Sequence, residues 1–396
     1  MPPNRADPAD PTNAVLLGHG DFGAKSSAVR ARMAERVAAD VDAALAADGI
    51  TADVERPWSR IVVRTDRPAA AARIAATIPG VGFARPAVAT DPRLAAISDA
   101  ADTLAAAGAH TPAETYAVDS DRIGPDDAHE FSNDDLKREV GRVVGAATGA
   151  DVDLDDPDRT YRIEAREGEA FVSVRRIEGP GGLPVGSQGR VAVLVSGGID
   201  SPVATWRLLR RGCAPVPVYV DLGDYGGADH RARALEAVAT LVPRAPRADL
   251  RPRVVEGGPL IERVVAATHD TRMVSLRRVL LAAADGVADR ADAHSLATGE
   301  AVGQKSSQTG ANLAVTDAAA SRPVHRPLFA ADKADIVSEA RELGTYDGST
   351  VPVGCERLAP AHPETNATLD GVVDAEPEGL LDAARAAGRD AEIVSV

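Results

Sequence analysis

The chain has 396 residues, which is too long for one ordinary hydrophobic core and favours two or three domains. Hydrophobic residues make up 44% of it, which excludes global disorder, and no run of about 18 apolar residues is present, so no membrane-spanning helix is expected. The net charge of −15, with lysine at only four positions, indicates a protein adapted to a high-salt cytoplasm. It argues against simple charge-driven nucleic-acid binding, which needs cations facing phosphates.

Residues 1–13 are rich in proline and aspartate and lack the apolar stretch of a secretory signal, so we expect a disordered leader. The two cysteines, Cys213 and Cys355, cannot form a disulfide framework, which favours a reducing cytoplasm. Without a Cys-x-x-Cys pair, a thiolate-metal site built by this chain alone is not expected, and the histidines show no metal-binding spacing. His325 is expected to be a packed or surface residue.

Residues 14–88 are predicted to form a small α+β unit. A short apolar run at 14–17 indicates a buried strand, and apolar positions at helical spacing indicate a helix over 24–47. A further strand over 60–65 and a helix over 69–78 complete the unit.

Residues 89–178 are predicted to form a second α+β unit. Ser132, with Asp135 three positions later, has the spacing of a capping box, and an amphipathic helix follows until Gly149. The alternating pattern over 160–174, with a turn in its middle, predicts a β-hairpin.

The glycine-rich break at 179–186 begins a third unit, predicted over 179–360. Strand-like and helix-like segments alternate in it, which is the pattern of βαβ units around a parallel sheet. Residues 361–396 are predicted to be a tail that contains one helix, over 379–387.

The phosphate loop of this third unit follows a buried strand over 190–195 and leads into a helix. Gly197 and Gly198 allow close backbone approach to an anion, while Ser196 and Ser201 supply hydroxyl donors. The helix that follows the loop directs unpaired N–H groups and positive dipole at the same point. These features together predict a pyrophosphate-binding loop.

The loop sequence Ser-Gly-Gly-x-Asp-Ser lacks the Gly-Lys-Ser/Thr of a Walker A loop and is not Gly-x-Gly-x-x-Gly. It resembles the PP-loop of the N-type ATP pyrophosphatases. That resemblance implies cleavage of ATP between the α and β phosphates, with adenylation of a substrate. The loop alone leaves amide formation, lysidine synthesis, tRNA thiolation, and NAD or GMP synthesis open.

The wider sequence resembles the tRNA 4-thiouridine synthase family, in a short form of haloarchaeal character. The resemblance covers most of residues 91–358. It implies an α/β PP-loop domain with a parallel sheet, preceded by ferredoxin-like and THUMP α+β domains. The stretches that carry it are Ile177–Gly186, Ser275–Arg278, Thr298–Thr309, Arg322–Leu328, Asp332–Lys333 and Gly344–Tyr346.

The resemblance implies ATP-dependent transfer of sulfur to uridine 8 of tRNA, through adenylation of the uridine C4 oxygen. Asp200 is the implied catalytic carboxylate of the loop, and Mg²⁺ is the implied companion of ATP. Beyond the loop residues Ser196, Gly197, Gly198 and Ser201, the resemblance places at the ATP site Leu194, Val195, Tyr219, Val220, Arg277, Gly299 and Gln308.

The sulfur step is where this sequence departs from the family's pattern. The region around Cys355 has one cysteine where relatives carry two, and no rhodanese domain is expected in this chain. Cys355 either attacks, carries a persulfide or is a spare residue, and it is the candidate second catalytic residue. Sulfur is expected from an external donor: a cysteine desulfurase, a persulfide or sulfide. A role in thiamine thiazole synthesis, known in the family, is not favoured without the rhodanese segment. Cys213 is expected to be a small core residue.

RNA binding is assigned to the N-terminal half. Aromatic residues make up only 3% of the chain, so recognition of shape and backbone is expected rather than base stacking. The candidates for phosphate contact are Lys137, Arg138, Arg175 and Arg176, followed by Arg142 and Arg166. A second copy of this chain, in a homodimer, is a further candidate partner. Two alternatives stay open: another PP-loop adenylating enzyme, or a tRNA-binding protein without activity.

Overall fold

The computed structural model describes residues 10–57, 60–125, 128–226, 228–347 and 358–396. The chain divides into two compact units between Gly182 and Leu183. Within the described ranges, no helix combines the length and apolarity needed to cross a bilayer.

The first unit is built of helices on a mixed sheet. Its helices are α1 (Ser27–Ala47), α2 (Pro68–Ala75), α3 (Leu94–Ala106) and α4 (Asn133–Thr148). Its strands are β1 (Ala14–His19), β2 (Asp53–Glu55), β3 (Ile61–Arg64), β4 (Val81–Thr90), β5 (Tyr116–Arg122), β6 (Arg159–Ala165), β7 (Ala170–Ser173) and β8 (Ile177–Glu178).

The strand order is β2-β3-β1-β4-β7-β6-β5, with β8 beside β4. The predicted strands and helices of this unit are present, and the hairpin over 160–174 is the antiparallel pair β6–β7. The sequence did not predict β4, because Gly82 and Pro86 read as strand breakers. Pro86 lies between the segments of β4 that pair with β8 and β7. The boundary predicted at residue 88 therefore falls inside a strand that both predicted units share.

The start and end of α4 follow the predicted chemistry. The Ser132 side chain accepts from the backbone N–H of Asp135, and the Asp135 carboxylate accepts from the backbone N–H of Ser132 at 2.9 Å. Gly149 ends the helix in the left-handed conformation, with φ of 69°. Leu136, Val140 and Val144 bury the apolar face of α4 in the core of the unit.

The second unit is a parallel sheet covered by helices. Its helices are α5 (Asp200–Arg210), α6 (Ala228–Ala239), α7 (Gly258–Ala267), α8 (Arg272–Ala291), α9 (Gly310–Asp317), α10 (Lys333–Leu343), α11 (Leu369–Ala375) and α12 (Leu380–Arg389). Its strands are β9 (Arg190–Leu194), β10 (Ala214–Asp221), β11 (Arg253–Glu256), β12 (Ser295–Ala297), β13 (Val324–His325) and β14 (Glu392–Ile393).

The strand order is β13-β12-β9-β10-β11-β14, and every pair is parallel except β11–β14. The central strand β9 is buried, as its continuous apolar run predicts for a sheet covered on both faces. Because β9, β10 and β12 are parallel neighbours, their carboxyl ends lie at one edge. The ends of these strands and the loops that follow them carry most of the predicted ATP residues, and α8 carries Arg277.

The C-terminal segment is more structured than the sequence predicts. Beyond the predicted helix, which is α12, the segment contains α11 and β14, and β14 extends the sheet beside β11. Gly286 of α8 and Gly388 of α12 lie at the contact between the two helices. A β-carbon on either glycine would overlap the facing backbone, so the two helices approach closely only because both residues are glycine.

Candidate active site

The phosphate loop closes on itself through its two serines. The Ser201 hydroxyl donates to the backbone oxygen of Ser196 at 3.1 Å and accepts from the Ser196 N–H at 2.9 Å. Ser201 is buried in the first turn of α5, whose N-terminus faces the loop. The loop is therefore held in a fixed curve beside the N-terminus of α5, where the first N–H groups lack partners within the helix, and such an arrangement binds phosphate oxygens.

Asp200 belongs to a polar trio at the mouth of this loop. Lys333 Nζ, from the first turn of α10, donates to Asp200 Oδ1 at 2.8 Å. With the Gln304 amide oriented to match its neighbours, its nitrogen donates to Asp200 Oδ2 at 3.2 Å and its oxygen accepts from Lys333 Nζ at 2.9 Å. The trio fixes a carboxylate and an ammonium group beside the phosphate loop.

Gly299 brings the loop after β12 against the phosphate loop. A β-carbon at Gly299 would lie 2.9 Å from the backbone N of Ser201 and 2.9 Å from the backbone C of Asp200. Any larger residue here would push the two loops apart. Glycine is required here by backbone packing at the start of α5.

A cavity of about 330 Å³ opens at this edge of the sheet. Its volume suits a small molecule such as a nucleotide. Gly197 and Gly198 belong to the phosphate loop beside the cavity. The predicted residues that line the cavity are Leu194, Val195, Ser196, Asp200, Ser201, Tyr219, Val220, Arg277, Gly299 and Gln308.

Gln308 carries an unsatisfied acceptor at this cavity. Its side chain is buried, and Oε1 has no hydrogen-bond partner among the described residues. An orphaned buried amide oxygen is unfavourable unless a ligand donor meets it. The adenine amino group and the ribose hydroxyls are donors of this kind, so the residues present fit an adenosine.

Arg277 is held in place by other side chains of the second unit. From α8, its Nε donates to the Ser307 hydroxyl at 2.9 Å and its Nη1 to Glu300 Oε1 at 2.6 Å. Glu300 is buried and also accepts from Arg326 Nε and from the Thr298 hydroxyl, both at 2.9 Å. One buried carboxylate therefore holds two guanidinium groups, and the one that lines the cavity is that of Arg277.

Several polar side chains at this edge of the sheet were not predicted as site residues. Gln304 and Glu300 stand in the stretch over 298–309 that the resemblance used, and Lys333 was part of another such stretch. Their signal was present, but a sequence pattern does not show which side chains face one another. His230 of α6 also lines the cavity and gave no signal, because its segment reads as an ordinary helix.

The two cysteines differ in what the structure describes. Cys213 is partly buried against the core of the second unit, and burial raises the pKa of its thiol, so it is a poor nucleophile at neutral pH. The predicted role as a small core residue fits this environment. Cys355 lies outside the described residues.

The predicted RNA-binding residues lie in two places in the first unit. Lys137 and Arg138 are exposed on α4, where Arg138 pairs with Asp135 at 3.3 Å. Arg175 and Arg176 line a cleft of about 990 Å³, together with Arg73 and Arg159.

Two further predicted arginines pair with glutamates in the first unit. Arg142 is exposed on α4 and pairs with Glu139. Arg166 is 4% exposed and bonds to Glu164, so the expectation that it contacts phosphate is wrong for this conformation. Arg166 follows the last residue of β6, and its side chain is buried in an ion pair with Glu164.

No group of three or more histidine, cysteine, aspartate or glutamate side chains forms a metal site in the ranges that the structure describes. A magnesium ion that arrives with ATP needs only one or two protein carboxylates, because phosphates and waters complete its shell. Asp200, beside the phosphate loop, is the carboxylate that fits this role. His325 is exposed on β13, as expected for a surface histidine.

Comparison with known proteins agrees with this architecture. A family model described as a thiamine biosynthesis protein (ThiI) matches residues 186–381, and a THUMP domain model matches residues 93–175. The fold is therefore an α/β PP-loop domain preceded by a unit that contains a THUMP domain.

A "Probable tRNA sulfurtransferase" of Halobacterium salinarum is 48% identical over 97% of this chain and 98% of its own length. Another, of Methanosarcina acetivorans, is 34% identical over 91% of this chain and 88% of its own length. The chain belongs to the tRNA sulfurtransferase family of enzymes.

Solved structures show the same fold. The crystal structure of a 4-thiouridine synthetase–RNA complex with bound ATP has a TM-score of 0.86 and 23% identity, and the match covers 97% of this chain and all of that one. PH1313 from Pyrococcus horikoshii has a TM-score of 0.67 and 20% identity, over 84% of this chain and 99% of that one.

Proposed function

We propose that this protein uses ATP to transfer sulfur to uridine 8 of tRNA, giving 4-thiouridine, by adenylating the uridine C4 oxygen. The observation that carries the proposal is the phosphate loop with Asp200 and Lys333 at one edge of a nucleotide-sized cavity. The relatives of this chain are named as tRNA sulfurtransferases. A 4-thiouridine synthetase of the same fold was solved in complex with RNA and with bound ATP.

The cavity accounts for how ATP is held. The adenosine lies against Tyr219 and Val220 at the end of β10, and the orphaned oxygen of Gln308 accepts from it. The β and γ phosphates lie on the loop N–H groups at the start of α5. Arg277, already held by Glu300 and Ser307, directs its remaining N–H groups to phosphate oxygens.

In the first step, the C4 oxygen of uridine attacks the α-phosphorus, the bond from that phosphorus to the α–β bridging oxygen breaks, and the N3 proton of uridine passes to solvent. Pyrophosphate leaves with the bonding electrons and is stabilised by the loop donors and by the Lys333 ammonium. Asp200 holds that ammonium in place. Mg²⁺, when bound with ATP, supplies further charge neutralisation at the phosphates.

In the second step, a sulfur nucleophile attacks C4, the C4–oxygen bond breaks, and AMP leaves with the former uridine oxygen. The sulfur comes from an external donor: a cysteine desulfurase, a persulfide or sulfide. We propose Cys355 as the residue of this chain that accepts sulfur as a persulfide from a desulfurase or a persulfide donor, because Cys213 is a core thiol with a raised pKa. The outer sulfur of the Cys355 persulfide attacks C4, which gives a C4–S–S–Cys355 disulfide. An external thiol then attacks the Cys355 sulfur, 4-thiouridine leaves with the bonding electrons, and a second external thiol reduces the mixed disulfide. Where sulfide is the donor, it attacks C4 directly without passing through Cys355. The reaction belongs to a reducing cytoplasm, where thiols persist.

The tRNA is proposed to bind the first unit. Exposed cations on α4, Lys137 and Arg138, and the cleft residues Arg175 and Arg176 supply phosphate contacts. Few aromatic side chains are available, so contacts to the backbone and to RNA shape are expected to dominate.

The test is deletion of the gene followed by measurement of 4-thiouridine in total tRNA. We expect 4-thiouridine to disappear in the deletion strain and to stay absent when the complementing copy carries Asp200→Ala. The matched control is Asp335→Asn, an exposed carboxylate on α10 that should restore the nucleoside fully. Unchanged 4-thiouridine in the deletion strain would refute the proposal.

Complementation also separates the two steps. Cys355→Ala is expected to abolish 4-thiouridine while the purified variant still exchanges pyrophosphate into ATP in the presence of tRNA. Cys213→Ala is the matched control and should restore 4-thiouridine. Full restoration by Cys355→Ala would remove Cys355 from the mechanism.

A further inference from the structure

His230 has one satisfied and one unsatisfied ring nitrogen at the wall of the nucleotide cavity. The residue lies in the first turn of α6 and is 3% exposed. Its Nδ1 bonds to the Tyr219 hydroxyl at 3.0 Å, whereas Nε2 is buried with no hydrogen-bond partner among the described residues. Buried polar nitrogens are nearly always bonded, so this one is expected to meet a ligand atom.

The imidazole lies directly beside the phosphate loop. A β-carbon built on Gly197 would be 3.4 Å from His230 Cδ2, the ring carbon next to Nε2, and 3.3 Å from the His230 backbone oxygen. The unsatisfied nitrogen is therefore on the part of the ring that faces the loop rather than on the part that faces Tyr219.

The His230 ring is neutral at neutral pH and can still donate one hydrogen bond. Burial, and next the nearby Arg233 guanidinium, lower the pKa of His230, so the ring carries a single proton at neutral pH. When the Tyr219 hydroxyl donates to Nδ1, that proton resides on Nε2. The Tyr219 bond thereby aims an N–H donor toward the loop, and an oxyanion is the complementary partner.

We propose that His230 is a further ATP-binding residue, which donates from Nε2 to an oxygen of the pyrophosphate portion of the nucleotide. Tyr219 acts through it as a positioning residue that selects the tautomer. This inference rests on the proposed ATP-dependent function. It adds a side-chain donor from α6 to the backbone N–H donors of the phosphate loop.

The experiment is calorimetric titration of the full-length chain with ATP, sodium pyrophosphate and AMP. A glutamine amide nitrogen reaches near the Nε2 position, whereas an asparagine amide reaches only near Nδ1. We expect His230→Asn to weaken ATP and pyrophosphate binding about tenfold, while His230→Gln stays within about threefold of the wild type. AMP binding should be unchanged in both, because AMP lacks the pyrophosphate.

Equal affinity of His230→Asn and the wild type for pyrophosphate would overturn the proposal. So would an equal loss of AMP and ATP affinity, which would indicate a purely structural role. If either variant fails to fold, the wild type with ¹⁵N-labelled histidine supplies the readout. The Nε2 resonance of a neutral ring should shift on addition of pyrophosphate, and no shift would refute the contact. Wild-type protein that binds no ATP would instead refute the proposed function itself.

Discussion

Glu300 connects three side chains at the nucleotide-sized cavity. Its carboxylate is buried and accepts from Arg277, Arg326 and Thr298. Arg326 is bonded in turn to Asp317 at 2.6 and 3.0 Å, so the network continues away from the cavity. We propose that this buried carboxylate is a positioning residue, which holds the Arg277 guanidinium for phosphate oxygens of the nucleotide at little entropic cost on binding.

We predict that Glu300→Gln raises the KM for ATP about tenfold, because the glutamine keeps the volume but loses the charge that orients Arg277. The measurement is ATP–pyrophosphate exchange in the presence of tRNA. In an Arg277→Ala background, Glu300→Gln should add little, since the group through which it acts is gone. Equal effects of Glu300→Gln in both backgrounds would show that Glu300 acts through the fold and not through Arg277.

The helices and strands that carry the strongest local signals are the ones that the sequence predicts well. The capping box of α4 and the apolar run of β9 specify their structure within a few residues, so both are confirmed. By contrast, β4 and β5 were missed. The glycine and proline of β4, and the polar residues of β5, resemble loops, and only their partners β1 and β6 make them strands.

The active site follows the same rule. The phosphate loop is contiguous, so its six residues are enough to predict it. The contacts of Lys333 with Asp200, and of Glu300 with Arg277, join residues 133 and 23 positions apart. Such pairs depend on how β9, β12 and α10 come together, and no local pattern encodes that. His230 is the clearest example of a cavity residue that the sequence did not predict, since no motif in its segment marks it as a binding residue.

The contact between α8 and α12 gives a prediction about the C-terminal helix. A methyl group on Gly388 would overlap the backbone oxygen of Ala283, so Gly388→Ala should destabilise the chain by about 1–3 kcal/mol. The measurement is denaturant unfolding of the full chain. Gly141→Ala is the control: this helical glycine of α4 has open space at its β-carbon, and the alanine should be neutral or stabilising. Equal effects of the two substitutions would contradict the proposed close approach.

For the whole molecule, the net charge of −15 opposes the binding of the proposed RNA substrate, which is also negatively charged. An acidic surface repels RNA and also repels itself. High salt screens both repulsions, since the Debye length falls to about 3 Å at 1 M. The cations proposed to contact RNA are therefore expected to work locally, on α4 and in the cleft, against a surface whose overall field is screened.

We predict that the melting temperature of the protein rises as KCl increases from about 0.1 M to about 1 M, because screening reduces the self-repulsion of the folded state. Differential scanning calorimetry measures this directly. A melting temperature that stays constant or falls over this range would contradict the interpretation of the acidic surface as an adaptation to salt.

The central claim is that the oxygen at C4 of uridine 8 is adenylated before sulfur replaces it. Mass spectrometry of AMP from a reaction with tRNA labelled with ¹⁸O at that single oxygen tests it most directly. We predict that the AMP formed alongside 4-thiouridine carries one ¹⁸O atom, because the C4–oxygen bond breaks and the oxygen leaves on the α-phosphate. Unlabelled AMP in a reaction that still forms 4-thiouridine would contradict it.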